Sequence, residues 1–195
     1  MLASIGLTDR NKDGMLEDAA GKPVRFALTT QKGDTLKERT ASVIHEQLRQ
    51  VGIDVDVVAV DRNTVRDRLG KGDYEALYFN IQADAFDPAR NLDYWLSTGD
   101  FHFWNPNQVK PATTWEAKID ELMGKQASTM DRAERKRLFV EVQRTFADHL
   151  PSLYFVAAKA TVVMNARLTG ATPAVLNPPT LWNSEVLSIG APTRR

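Results

Sequence analysis

The chain has 195 residues, which is enough for one large domain or two small ones. Its 25 basic and 25 acidic residues cancel, so no net field attracts nucleic acid or an anionic membrane, and neither is expected as a partner. The absence of cysteine excludes disulfides, thiolate metal sites and a cysteine nucleophile.

The first residues predict the end of a helix rather than a signal peptide. Residues 1–7 have neither a basic region nor a long apolar core, and Gly6 stands where a glycine commonly ends a helix. A natural chain seldom opens on the end of a helix. We therefore expect a fragment of a longer protein, in which the missing N-terminal part carries the export signal.

The polar loop that follows resembles the first half of a calcium site. Asp9, Asn11 and Asp13 alternate and a glycine follows them, but Ala20 stands where a bidentate glutamate should close the site. Glu17 or Asp18 is a candidate substitute for that ligand. The alternative, which we favour, is an Asx-rich turn that joins a helix to a strand without metal.

A strand–helix–strand unit is predicted next. Apolar periodicity predicts strands over 24–30 and 54–60, and Thr35-x-x-Glu38 predicts a capping box at the start of the helix between them. The apolar face of this helix is predicted to contain Leu36, Val43, Ile44, Leu48 and Val51, and Gly52 is predicted to end the helix. A unit of this length predicts parallel strands joined by a right-handed crossover.

A short helix over 64–69 and a third strand over 76–81 precede a loop that carries two carboxylates, Asp84 and Asp87. Pro88 prevents the strand from continuing. Carboxylates at the carboxyl end of a strand in an open α/β sheet lie where such folds bind ligands. From the residues alone, Asp84 and Asp87 are either an acid–base pair of a hydrolase, or Asp87 caps a turn while Asp84 is solvated.

The second half predicts a short helix over 91–96 and two longer helices. Thr113-x-x-Glu116 predicts a capping box for the first long helix, and Asp131 is predicted to cap the second, which Pro151 ends. The inward residues are predicted to be Ile119, Leu122 and Met123 in the first, and Leu138, Phe139, Val142, Phe146 and Leu150 in the second. Apolar runs over 153–157 and 160–164 are predicted to return to the sheet. The simplest interpretation is a single α/β domain over 1–195, with an open mixed sheet flanked by helices.

Two of the four tryptophans, Trp104 and Trp182, lie in predicted loops. An exposed loop tryptophan is a stacking surface for a sugar ring or a peptide, and core packing is the alternative. None of the three histidines lies in a metal-ligand or nucleophile motif. The sequence therefore predicts a binding protein, with no catalytic residue, metal or cofactor.

Seven segments in a fixed order carry a resemblance to a known family: 9–26, 47–55, 72–76, 87–88, 115–122, 151–154 and 181–183. The chain resembles the C-terminal lobe of family 5 extracellular solute-binding proteins, the dipeptide-, oligopeptide- and nickel-type binding proteins of ABC importers. The resemblance covers residues 2–187, nearly the whole chain. It implies one lobe of a two-lobe, type II periplasmic binding protein whose N-terminal lobe is absent here.

The resemblance also implies ligand contacts and partners. Asp84 matches the aspartate that holds the α-ammonium of a peptide in oligopeptide binders, and a desolvated carboxylate suits that role. Ala85 departs from the pattern, since some peptide binders have an aromatic residue there. The ligand-binding residues are expected to be Asp84, Phe86, Trp104 and Trp182. The implied partners are a small solute, most often a peptide, the missing lobe and the permease subunits in the membrane. The implied location is periplasmic or extracellular and lipid-anchored. An oligosaccharide-binding protein of the same family is the alternative ligand class.

Overall fold

A parallel three-stranded sheet forms the first half of the chain. The structure, a computed structural model, describes residues 1–80, 87–155, 161–174 and 180–190. Strands β1 (Arg25–Gln31), β2 (Asp54–Val60) and β3 (Ala76–Leu77) are arranged in the order β2-β1-β3, and both pairings are parallel. The predicted parallel pair is confirmed. The described part of the third strand is shorter than predicted, because only Ala76 and Leu77 pair with β1.

Helix α1 (Thr35–Arg49) connects β1 to β2, but its predicted cap is wrong by one residue. Asp34, and not Thr35, is the N-cap, and its side chain accepts a hydrogen bond from Lys37 N. Glu38, the expected capping-box partner, accepts instead from Gly33 N. Gly52 adopts a positive φ of 81° just after the helix, where a Cβ would lie 2.9 Å from Leu16, so its predicted role at the helix end is confirmed.

The predicted apolar face of α1 is right for two of its five residues. Ala41 is fully buried against Leu28 and Val55, and Ile44 and Leu48 pack at the edge of that cluster. By contrast, Leu36, Val43 and Val51 are largely exposed. Leu36 and Val43 lie roughly 100° or more around the helix axis from the side of α1 that packs on the sheet. Val51 lies beyond the helix end. Helix α2 (Arg62–Lys71), capped by Asp61, connects β2 to β3.

The second half is built on a helical hairpin. A 3-10 turn (Pro88–Asn91) and the short helix α3 (Leu92–Trp95) lead to α4 (Thr114–Ser128) and α5 (Arg132–His149). The Thr113–Glu116 capping box and the Asp131 cap are both confirmed. The hairpin core contains the predicted residues Ile119, Leu122, Met123, Leu138, Val142 and Phe146. Leu150 is the exception, because it ends α5 in a left-handed conformation and points to solvent.

The predicted return to the sheet is wrong for the described residues. Residues 153–155 and 161–164 form no strand, and most of their large apolar side chains are exposed, so no neighbouring strand covers them. The C-terminal strands β4 (Leu168–Thr169) and β5 (Ser188–Ile189) pair with each other, antiparallel, as a separate two-stranded sheet. At the other end, a 3-10 turn over Leu2–Ile5 ends at Gly6, as predicted. Within the described ranges, none of the helices has the length and apolar character needed to cross a bilayer.

Candidate functional site

The carboxyl edge of the parallel sheet is the candidate site. The chain runs from β1 outward to β2 and then back past β1 to β3, so the direction of winding reverses between β1 and β3. Open α/β sheets bind ligands outside the carboxyl ends of their strands at such a point. The end of β1, the residues that follow β3 and the start of α1 meet at this edge.

Polar groups at the end of β1 are held together by Lys37. Its Nζ donates to Gln31 Oε1 at 3.0 Å and pairs with Asp34 Oδ2 at 2.9 Å. The bond from the Lys37 side chain, followed by the hydrogen bond from Lys37 N, lowers the pKa of Asp34. Thr30, the preceding residue, is fully buried, and its hydroxyl has no hydrogen-bond partner among the described residues. The edge therefore carries an ion pair at the start of α1, beside the buried hydroxyl of Thr30.

Aromatic rings surround the chain where it leaves β3. The rings of Tyr78 and Phe155 meet edge-on with their centroids 6.1 Å apart. The centroids of the Phe79 and Phe103 rings are 5.2 Å apart. Phe101 in turn contacts Phe103 at 5.6 Å. Phe101 and Phe155 are each more than half exposed. A ligand at this edge would meet aromatic surface on both sides of the departing chain.

Asp84 and Phe86 lie outside the described residues, and Asp87 is the first described residue after them. Asp87 Oδ1 accepts from Ala89 N at 3.0 Å, which confirms that Asp87 caps the turn. Arg135 Nη2 lies 2.6 and 2.5 Å from the two carboxylate oxygens, and Gln126 Nε2 donates at 3.2 Å. The bond from Ala89 N and those from Arg135 and Gln126 lower the pKa of Asp87. A carboxylate so engaged and so acidic is poorly suited to act as a general acid.

The two candidate tryptophans lie in different environments. Trp104 is packed against the helical core, with ring contacts to Phe146 at 5.2 Å and Tyr94 at 5.4 Å. Trp182 is 55% exposed, and its Nε1 donates to Thr172 O at 2.6 Å in the C-terminal region. The exposed ring of Trp182 keeps a free surface, whereas the Trp104 ring is partly buried against the helical core.

The loop over residues 9–17 brings together carboxylates of Asp9, Asp13 and Glu17, whose oxygens lie within 4.8 Å of one another. Glu17 was a candidate substitute ligand, and the predicted ligand Asn11 adjoins the cluster, since its Nδ2 donates to Asp13 Oδ2 at 3.0 Å. Asp9 accepts hydrogen bonds from Lys12 N and Gly14 N, and Asn11 accepts from Asp13 N. These bonds account for the shape of the loop as an Asx-rich turn, which is the alternative favoured from the sequence, and calcium binding stays the other, untested alternative.

A buried polar network centred on Glu116 was not predicted. Its Oε1 accepts from His102 Nε2 at 3.0 Å and from Gln108 Nε2 at 3.1 Å, and its Oε2 accepts from the backbone and hydroxyl of Thr113. His102 and Glu116 are 1% and 2% exposed. Burial alone would raise the pKa of Glu116, but these hydrogen bonds outweigh it and lower the pKa to about 2. The capping box was the one sequence signal for this residue.

The comparisons with known proteins agree on one family. The model of "Bacterial extracellular solute-binding proteins, family 5 Middle" matches residues 1–103. The oligopeptide-binding protein AppA of Bacillus subtilis is 26% identical over 176 residues, and a probable ABC transporter-binding protein of Deinococcus radiodurans is 23% identical over 185 residues. Each alignment covers 87% of this chain but 30% of the relative. The chain therefore spans less than a third of the length of these curated relatives.

Solved structures show the same fold. The structure of AppA from Bacillus subtilis in complex with a nonapeptide matches 97% of this chain and 36% of that one, with a TM-score of 0.64 at 22% identity. The periplasmic binding protein MelB from Agrobacterium fabrum C58 in complex with stachyose matches 77% and 24%, with a TM-score of 0.68 at 23% identity. The fold is therefore that of part of a periplasmic binding protein, in agreement with the predicted type II lobe.

Proposed function

Because this chain belongs to the family 5 bacterial extracellular solute-binding proteins, we propose that it is the ligand-recognition lobe of the binding component of an ABC importer. The observation that carries the proposal is the carboxyl edge of the β2-β1-β3 sheet, where the winding reverses and the segment with Asp84 follows β3. The chain corresponds to 30% of the length of its relatives, which leaves room for a second lobe.

The lobe binds a solute by closing on it together with the other lobe, and no bond in the solute changes. Names of the relatives support this, since they are binding proteins for oligopeptides, D,D-dipeptides and nickel. The protein acts outside the cytoplasmic membrane and delivers its ligand to permease subunits. A peptide is the ligand that best suits a loop carboxylate beside aromatic surface.

Within this site, Asp84 binds the α-ammonium of the peptide, and Phe86 contributes to the aromatic surface around it. Trp182 offers an exposed ring for stacking. Trp104 contributes indirectly, because its ring packs against Tyr94. The Tyr94 ring in turn packs against Phe103, with the two centroids 6.4 Å apart.

The test is Asp84→Asn in the two-lobe protein, measured by calorimetric titration with a free-amine peptide and with its N-acetylated form. Removing one partner of a desolvated charge pair costs about 2–5 kcal/mol, so the free-amine peptide should bind more than tenfold more weakly. The acetylated peptide should bind both proteins alike. Asp148→Asn, an exposed aspartate on α5, is the matched control and should bind as wild type does.

An oligosaccharide ligand is the second candidate, and the exposed aromatic rings of Phe101, Phe155 and Trp182 favour it. The sugar complex of MelB, a protein of similar fold, adds support. Equal binding of the free-amine peptide to wild type and Asp84→Asn would reject the ammonium role and favour this neutral ligand.

A further inference from the structure

The exposed ring of Phe101 is the outer end of a row of three phenylalanine rings that begins where β3 ends. Phe79 lies just beyond Leu77, the last residue of β3. The centroids of the Phe79 and Phe103 rings are 5.2 Å apart, and those of the Phe103 and Phe101 rings are 5.6 Å apart. Phe101 is 55% exposed. This aromatic row, Phe79–Phe103–Phe101, therefore leads from the carboxyl edge of the sheet to solvent.

The backbone that carries Phe101 is fixed from several sides. Phe101 N donates to Asp93 O at 3.0 Å, and Phe101 O accepts from Phe103 N at 2.9 Å. The carbonyl of Phe103 accepts a hydrogen bond from the Tyr74 hydroxyl. His102, between the two phenylalanines, is only 1% exposed, so its side chain anchors the turn in the core. The exposed ring of Phe101 therefore stands on a fixed support.

A rigid apolar ring in water is suited to bind an apolar group. Its conformational freedom is already restricted in the free protein, so a ligand that covers it gains from burial of apolar surface with little further loss of entropy. The three rings of the aromatic row carry no hydroxyl or nitrogen, so they offer no conventional hydrogen bond. The hydroxyl groups of a sugar would lose their bonds to water there, whereas the side chain of leucine or phenylalanine has none to lose.

We propose that Phe101, supported by Phe103 and Phe79, is a specificity-determining residue of the ligand site, where its ring binds an apolar side chain of the peptide. The aromatic row starts at the sheet edge where open α/β folds bind their ligands, so it places Phe101 beside a peptide bound there. This inference rests on the proposed peptide ligand, but it does not involve Asp84. The protein then prefers peptides that have an apolar residue at one fixed position.

The test is a set of calorimetric titrations of the two-lobe protein with trialanine and with the three peptides in which leucine replaces one of its alanines. Each methylene that is buried against apolar surface corresponds to about a fourfold gain in affinity. We expect wild type to bind the peptide whose leucine faces Phe101 about four- to tenfold more tightly than trialanine. Phe101→Ala should reduce this gain to less than about twofold, while its affinity for trialanine stays within about twofold of wild type. Phe101→Leu keeps an apolar side chain and should retain most of the gain.

Val109→Ala is the matched control, because Val109 lies on the same connection between α3 and α4 and is 89% exposed, but is not part of the aromatic row. It should leave the gain from leucine unchanged. An equal loss for all the peptides in Phe101→Ala would show a merely structural role and overturn the inference. A gain from leucine that persists in Phe101→Ala, or that is lost equally in Phe101→Leu, would contradict an apolar contact.

Two further results separate this inference from the proposed function. If wild type binds peptides but leucine brings no gain at any position, the inference alone fails. If wild type binds none of the peptides, the proposed peptide ligand fails, and the inference fails with it. Stachyose, the sugar in the MelB complex, is titrated in parallel. Binding of stachyose that Phe101→Ala abolishes would show that the ring stacks on a sugar, which also overturns the inference.

Discussion

Replacing Glu116 by glutamine is expected to destabilise the chain by about 3 kcal/mol at neutral pH. The buried carboxylate accepts four hydrogen bonds, from His102, Gln108 and Thr113, and its pKa is about 2 against an ordinary value of 4.5. One pH unit corresponds to about 1.4 kcal/mol, so this difference is worth about 3 kcal/mol when the group is ionised. For a chain of this size, that predicts a Tm lower by roughly 6–12 °C.

The sign of the pH dependence follows from the lowered pKa. A carboxyl that is more acidic in the folded state stabilises the protein fully above about pH 4.5 and loses that contribution as the pH falls toward 2. Less than half of the effect, about 1.4 kcal/mol, should remain at pH 3. The difference in stability between wild type and Glu116→Gln should therefore shrink in the same range.

Urea unfolding of both proteins between pH 7 and pH 2.5, followed by tryptophan fluorescence, measures this difference directly. Glu121→Gln is the control, because Glu121 is exposed on the same helix and its solvent-screened pair with Lys125 should contribute little to stability. A difference for Glu116→Gln that stays constant down to pH 2.5 would refute the reasoning, since the loss would then come from packing and not from the ionised carboxylate.

Three further results are expected. Calorimetric titration of the 195-residue chain alone with di- to pentapeptides should show no dissociation constant below roughly 1 mM, because one lobe lacks the contacts that the second lobe makes when it closes on the ligand. A micromolar dissociation constant would mean that the site is complete. Met123→Ala should lower the free energy of unfolding in urea by about 2–5 kcal/mol, because Met123 is fully buried. Leu36→Ala should lower it by less than about 0.5 kcal/mol, because Leu36 is 68% exposed. Similar losses would contradict the buried position of Met123 and the exposed position of Leu36. Asp87→Asn should keep the cap but weaken the Arg135 pair, lowering stability by about 0.5–1 kcal/mol, and an unchanged Tm would argue against that pair.

Local features of the fold were predictable because they depend on residues close in the chain. The Thr113–Glu116 box and the Asp131 cap are hydrogen bonds between residues two or three positions apart, and both are present. The same kind of reasoning failed at α1, where Asp34 and Thr35 both have a suitable partner three residues later. In the structure Asp34 is the cap, with an extended backbone and a side chain that accepts from Lys37 N.

The sequence by itself determined the order of strands and helices as far as the end of α5, the parallel β1–β2 pair and the resemblance to a family, because periodicity and short-range hydrogen bonds express these directly. The tertiary structure alone decided which side chains meet at long range. Arg135 could pair with any nearby carboxylate, and only the packing of α5 against the turn after β3 brings it to Asp87. Likewise, His102 reaches Glu116 because the loop that carries His102 folds over the start of α4. Both side chains are buried there, so the capping residue Glu116 also accepts hydrogen bonds from residues outside its own helix.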